Sequence, residues 1–152
     1  MHIVVAAVGK AKAGPERALF DSYIARLPWR VDLKEIELKK EMSVDVRRAR
    51  EGEALLSAAP DGARIVALDE RGRSEASDAF AKRLGRWRDD GVRDITFLIG
   101  GADGLDESVR KRADVILSFG ALTWPHMLVR ALLAEQLYRA HTILTGHPYH
   151  RA

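Results

Sequence analysis

No cysteine occurs in the 152 residues, which excludes disulfides, a thiolate metal site and a cysteine nucleophile and suits a reducing compartment. No apolar run approaches the ~18 residues of a membrane span. The first strand-like stretch, His2 to Val8, lacks the charged start and cleavage site of a signal peptide, so the expected location is the cytoplasm. Neither sign of charge dominates: 25 Lys and Arg against 22 Asp and Glu leave +3, which permits a polyanionic partner without establishing one. Nothing reads as G-x-G-x-x-G or as a Walker loop, no Ser/His/Asp order carries a nucleophile elbow, and no close carboxylate pair stands out as a hydrolytic dyad. Repeats and low-complexity tracts are also missing. What remains, 152 residues of which 47% are hydrophobic, predicts one domain over residues 1–152 with a real core.

Five short apolar segments recur between helix-like stretches: Ile3 to Val8, Val31 to Leu38, Arg64 to Leu68, Ile95 to Ile99 and Val115 to Leu117. Several are continuously apolar, the pattern of central strands covered on both faces, so the fold class is α/β with a mostly parallel sheet flanked by helices. Val31 to Leu38 alternates cleanly and reads as an edge strand; an α+β sheet with this edge antiparallel is the alternative. Helices are expected over Pro15 to Leu27, from a Ser43 cap to about Ala59, over about Ala76 to Asp89, and from Pro125 to about Ala140. The third shows one ordinary apolar stripe, Phe80, Leu84 and Trp87. The last is apolar around most of its girth, from Met127 to Tyr138, and so predicts burial on two sides. A second copy of the chain is the expected second partner; a central position in one copy is the alternative.

The segment Phe97-Leu-Ile-Gly-Gly-Ala-Asp-Gly-Leu105 runs a buried-type strand into three glycines, which allow tight backbone turns and a ligand against bare peptide groups. Two further strand ends, Ile65 to Gly72 and Ile116 to Pro125, finish in similar loops. Together the three endings form a candidate pocket for an adenine-bearing ligand held by backbone and apolar walls; each alone reads as a connection. Four of five histidines, His126, His141, His147 and His150, lie in the last 27 residues, but their spacing fits no zinc pattern and no metal is expected. His126, at a helix start, reads equally as structural or as a site residue, and His141 as structural or solvent-facing. In the tail, Tyr149 is suited to stacking on a base, and His150 and Arg151 to meeting phosphate or a base edge; a packed tail is the alternative. The loop Gly9-Lys10-Ala-Lys12-Ala-Gly14 is a candidate phosphate contact through its two lysines, or simply a surface loop. Arg130 lacks an evident mate, whereas Glu135 and Arg139 make an i,i+4 pair. Lys39, Lys40, Arg47, Arg48 and Arg50, diluted by acids, read as a solvated face.

Taken together, Leu98-Ile-Gly-Gly-Ala-Asp-Gly-Leu105, Ala121-Leu-Thr-Trp-Pro-His126, Leu128-Val-Arg130, Glu135-Gln-Leu-Tyr-Arg-Ala140 and His147-Pro-Tyr-His150 resemble the RlmH family. These are SPOUT-class methyltransferases that use S-adenosylmethionine on N3 of a pseudouridine in a stem-loop of 23S ribosomal RNA. The resemblance covers essentially the whole chain and is densest after Leu68. It implies a SPOUT fold with a C-terminal trefoil knot, a homodimer, and a substrate presented in the large subunit or whole ribosome. Carried over by position, it implies cofactor contacts at Leu68, Gly100 and the loop Phe119, Gly120, Ala121, Leu122, Thr123, Trp124. The family's usual Leu-Thr-Leu-Pro reads Leu122-Thr-Trp-Pro125 here, and Ala102-Asp103 stands where a proline and an acid are common. The expected catalytic residues are His150 as base and Tyr149 as stacking or orienting partner, in their own chain's site or the partner's. Arg151, Lys10, Lys12 and Arg130 are the expected RNA contacts.

Overall fold

Residues Ile3 to Ala7 are fully buried without interruption, which a strand achieves only when both faces of its sheet are covered. The computed structural model describes residues 1–39 and 41–151; Lys40, read above as part of a solvated face, lies outside them. The described elements are β1 (His2–Val8), α1 (Pro15–Ala25), β2 (Arg30–Ile36), α2 (Val44–Ser57), β3 (Arg64–Ser74), α3 (Ser77–Asp89), β4 (Asp94–Ile99), α4 (Glu107–Arg112), β5 (Val115–Ser118) and α5 (His126–Thr145). The sheet has the order β2-β1-β4-β3-β5, and every pairing in it is parallel.

This order determines where the helices lie. One core cluster joins Ile3, Val5 and Phe97 to Phe80 and Leu84 of α3 and to Leu133 and Leu137 of α5, with Ile24 of α1 packed against it. The other joins Ala6, Val8 and Leu98 to Leu55 of α2 and Val109 of α4. Connections that step toward β2 thus carry their helices, α1 and α3, on one face, and those that step toward β5 carry α2 and α4 on the other. Direction and face reverse together, so all four crossovers share one hand, as the handedness rule for parallel strands requires.

The strand Val31–Leu38 was expected at the edge, and β2 is there; its pairing with β1 is parallel, because α1 carries the chain back across the sheet before β2 begins. At the opposite end of the strands the His2 ring is bonded to Asp94 and Asp32, both at 2.7 Å, which ties the starts of β1, β4 and β2 together. Ser43 caps α2 as expected, its hydroxyl accepting from the Val46 amide.

Two elements outrun their expected bounds. β3 continues from Leu68 to Ser74 by pairing with β5 a second time: Leu117 faces both Leu68 and Arg73, with an irregular segment between them. Gly72 makes this possible, since a Cβ there would lie 2.5 Å from the Ile116 carbonyl oxygen. α5 runs to Thr145 rather than about Ala140 and is closed by Gly146 in the left-handed conformation, φ 72°. It lies between α1 and α3, so most of its apolar girth is covered within one chain, and the central position held open as the alternative describes it.

Candidate active site at the carboxyl ends of three strands

In an open parallel sheet, a ligand normally sits where the connections after two adjacent strands leave in opposite directions. Here that point lies between β1 and β4. Gly101 closes it: a Cβ on that residue would lie 2.8 Å from Val8 Cγ1. The accessible strand ends are those of β4, β3 and β5. Leu68 pairs with Ile99 on one side and Leu117 on the other, so these three stand side by side, spanning about 10 Å at the usual strand spacing, with Gly100 and Ser118 one residue further on. The three endings singled out in the sequence are therefore spatial neighbours.

Beyond β5 the chain turns at Gly120, whose φ of 115° is a conformation that side chains disfavour, with nothing within 4 Å of where a Cβ would project. The Ser118 hydroxyl is bonded to the Gly120 amide and carbonyl, both at 3.1 Å, and pins the turn. Residues Ala121 to Pro125 are exposed, with Leu122 at 74% and Trp124 at 40%. The Trp124 indole donates to the Phe119 carbonyl at 3.4 Å.

A cavity of about 550 Å³ opens beside this turn, walled by Phe119, Gly120 and Trp124, by Leu117 and Phe80, and by Glu135, Gln136 and Arg139 of α5. Its volume and largely apolar walls suit a nucleoside-sized ligand. Of the expected cofactor residues, Phe119, Gly120 and Trp124 line it. Leu68 and Gly100 lie at the adjoining strand ends but not on its wall, and Ala121, Leu122 and Thr123 face solvent. Glu135 and Arg139, read in sequence as a helix pair, are wall residues as well. So are Ser74, which ends the β3 extension, and Glu75 just after it, at the close of a polar run that gave no sign of strand pairing.

The tail packs on its own chain. The Tyr149 hydroxyl donates to Glu135 Oε1 at 3.0 Å and shares a 3.3 Å bond with the Tyr23 hydroxyl. Its ring meets Tyr138 edge-on at 4.7 Å and lies under the Arg139 guanidinium. Burial, then these hydrogen bonds, raise the Tyr149 phenol well above its ordinary value, so it is a hydrogen-bond donor rather than a base in this position. The hydrogen bond from Arg139 to Glu135 likewise raises the guanidinium. His150 Nδ1 is buried without a partner among the described residues. Neither Tyr149 nor His150 lines the cavity; Glu135 and Arg139 join tail to wall.

Arg130, expected as an RNA contact, is buried and ion-paired. Its side chain is 3% exposed, bonded through Nη1 to Glu35 at 2.7 Å and through Nη2 to the Gly9 and Val8 carbonyls at 2.8 and 3.2 Å. Its mate, Glu35, lies 95 residues away in sequence, beyond the reach of local spacing. Burial opposes ionisation of Glu35, but the bonds from Arg130 and the Ala11 amide outweigh it and hold the carboxyl below its ordinary value. Lys10 and Lys12 line a separate cavity at the end of β1, and Arg151 is exposed. His141 packs edge-on against Trp29, in keeping with its structural reading. No group of three His, Asp or Glu side chains is placed to hold a metal among the described residues, and no described helix is long and apolar enough to cross a membrane.

Residues 1–150 match the family model described as "Predicted SPOUT methyltransferase". The chain is 61% identical over 151 residues to Ribosomal RNA large subunit methyltransferase H of Paramagnetospirillum magneticum, covering 99% of each chain. It is 58% identical over 152 residues to the protein of that name from Rhodospirillum centenum, covering 100% of each. A solved structure described as "Structural insights into the 2-OH methylation of C/U34 on tRNA" superposes with a TM-score of 0.51 at 23% identity, covering 95% of this chain and 97% of the other; at that identity the likeness bears on fold alone. A match running from the first strand through the tail, joined to a parallel sheet with its glycine turns at one edge, means that the chain belongs to the SPOUT methyltransferase family, among the relatives named ribosomal RNA large subunit methyltransferase H.

Proposed function

We propose that the protein methylates N3 of a pseudouridine in a stem-loop of 23S ribosomal RNA, using S-adenosylmethionine, on assembled large subunits or ribosomes in the cytoplasm. The names of its relatives support the ribosomal RNA substrate. The observation that carries the methyl-donor reading is the Gly120 turn on the wall of a cavity of about 550 Å³ at the ends of β3 and β5. An adenosyl group fits there: apolar surfaces of Phe119 and Trp124 flank it, and backbone amides and carbonyls of the 119–124 turn supply its polar contacts, while Leu68 and Gly100 support the wall from behind. When bound, the donor supplies a methyl group on a sulfonium sulfur, open to in-line displacement.

The chain's own task is then to place the attacking nitrogen, take its proton and keep water out. His150 takes the N3 proton, Tyr149 stacks on or orients the base, and Arg151, Lys10 and Lys12 hold RNA backbone. Tyr149 must leave its contacts with Tyr23 and Glu135 to do so, and His150 the buried position of its Nδ1. They serve the same chain's site or, in a homodimer, the partner's, and the segment after β5 threads the trefoil knot typical of the family. A net charge of only +3 favours a substrate whose shape adds contacts, which is why an assembled ribosomal particle is preferred over a bare hairpin.

Nucleoside mass spectrometry of ribosomal RNA from cells with and without the gene tests this. N3-methylpseudouridine is expected to vanish without it, to return with the wild-type gene, and to return poorly with Tyr149→Ala or His150→Ala. Unchanged nucleosides would overturn the reading; full rescue by both variants would return the tail to a packing role.

A further inference from the structure

The loop after β1 encloses a second cavity that the methyl-donor reading does not use. Its volume is about 370 Å³, its floor is Phe20, Leu33 and Met127, and its charged walls are Lys10, Lys12, Arg17 and Arg130 against a single carboxylate, Glu16. Arg17 is paired with Asp21 and Arg130 with Glu35. Lys10 and Lys12 have no carboxylate within 4 Å among the described residues, so their charges are uncompensated. Three features make this more than a basic loop. The first turn of α1, beginning at Pro15, has no side-chain cap, so its free amides point out of the helix start. Arg130 is buried, yet its Nε has no partner among the described residues. The apolar floor lowers the local dielectric and strengthens attraction for an anion.

We propose that this cavity is a subsite for a phosphodiester group of the RNA substrate, held by Lys10, Lys12 and the opening amides of α1, with Arg130 as the fixed positive charge at its base. The proposal rests on the RNA-substrate reading above and adds where the strand is gripped. Trp124, on the wall of the donor cavity, precedes Met127 and Arg130 by three and six residues, so one short stretch of chain borders both cavities. Trp124 stands just before α5 and Met127 and Arg130 lie in its first turns, which lets nearby nucleotides of one strand present a base to the first site and a phosphate to the second. The cavity therefore fixes which nucleotide reaches the donor.

The test is salt-dependent binding of the full-length protein to large ribosomal subunits, wild type against the double variant Lys10→Gln, Lys12→Gln. Both lysines are exposed, so the variant is expected to keep its melting temperature. The slope of log affinity against log salt is expected to fall in magnitude by about 1 to 2. In parallel, inorganic phosphate is titrated against labelled protein, with shifts expected at the Glu16 and Arg17 amides of the wild type only. An unchanged slope with intact wild-type binding overturns the subsite and leaves the substrate reading standing. Phosphate shifts with an unchanged slope assign the cavity to free phosphate and overturn the RNA assignment. Wild-type protein that ignores the subunits overturns the substrate reading and this proposal with it.

Discussion

At the scale of single residues, the informative groups are charged side chains that the fold has taken out of water. Arg130 is stabilised there by a carboxylate and two carbonyls at once, the arrangement that makes a buried guanidinium tolerable. Glu51 is the opposite case. It is 6% exposed on α2, near Gly101, and burial raises its carboxyl above the ordinary value, Asp103 adding to the shift and Arg47 opposing it. The folded state therefore binds this proton more tightly than the unfolded chain does, so the associated stability is full at low pH and declines as pH rises past about 4.5 through the raised value. Glu51→Gln is expected to be more stable than wild type at pH 7 and to match it near pH 4 in chemical denaturation. Parallel stability curves for the two proteins would contradict the assignment. Neither environment was legible in sequence, where Arg130 lacked a neighbour and Glu51 was one acid among several on a polar helix.

At the scale of elements, local chemistry was legible and long-range pairing was not. The runs Ile3 to Val8 and Ile95 to Ile99 announced central strands, Pro15 and Ser43 announced helix starts, and Val31 to Leu38 announced an edge. The second half of β3 gave no such signal, because Asp69-Glu-Arg-Gly-Arg73 is polar and its partner, β5, lies more than 40 residues away in sequence. Likewise, the three glycine-bearing endings were recognisable one by one, but only the strand order brings them together and leaves Leu68 and Gly100 behind the cavity wall. Gly72 carries the second pairing. Gly72→Ala sets a Cβ against the Ile116 backbone rather than against a side chain that could rotate away, and overpacking of this kind costs about 1–3 kcal/mol. The expected result is a lower denaturation midpoint together with weaker methyl-donor binding, since β5 feeds the Gly120 turn. Wild-type stability in this variant would mean that the second pairing contributes nothing.

At the scale of the whole molecule, the chain covers most of α5 itself yet leaves Leu122 and Trp124 uncovered on the loop that leads into it. A homodimer would bury such a loop, and α5 keeps half-buried Leu128 and Leu132 toward the same end. Sedimentation equilibrium at micromolar concentration is expected to return about twice the 16.9 kDa chain mass. A single-chain mass would confine the tail to its own protomer's site.

The strand order has a consequence for biosynthesis. β1 is made first, but its neighbour toward the middle of the sheet is β4, and the helix that seals that face of the core, α5, is made last. A nascent chain thus exposes most of its apolar interior until translation is nearly complete. Truncated products missing α5 should be cleared by proteases instead of accumulating as partly active fragments, leaving quality control to act on an almost all-or-nothing outcome.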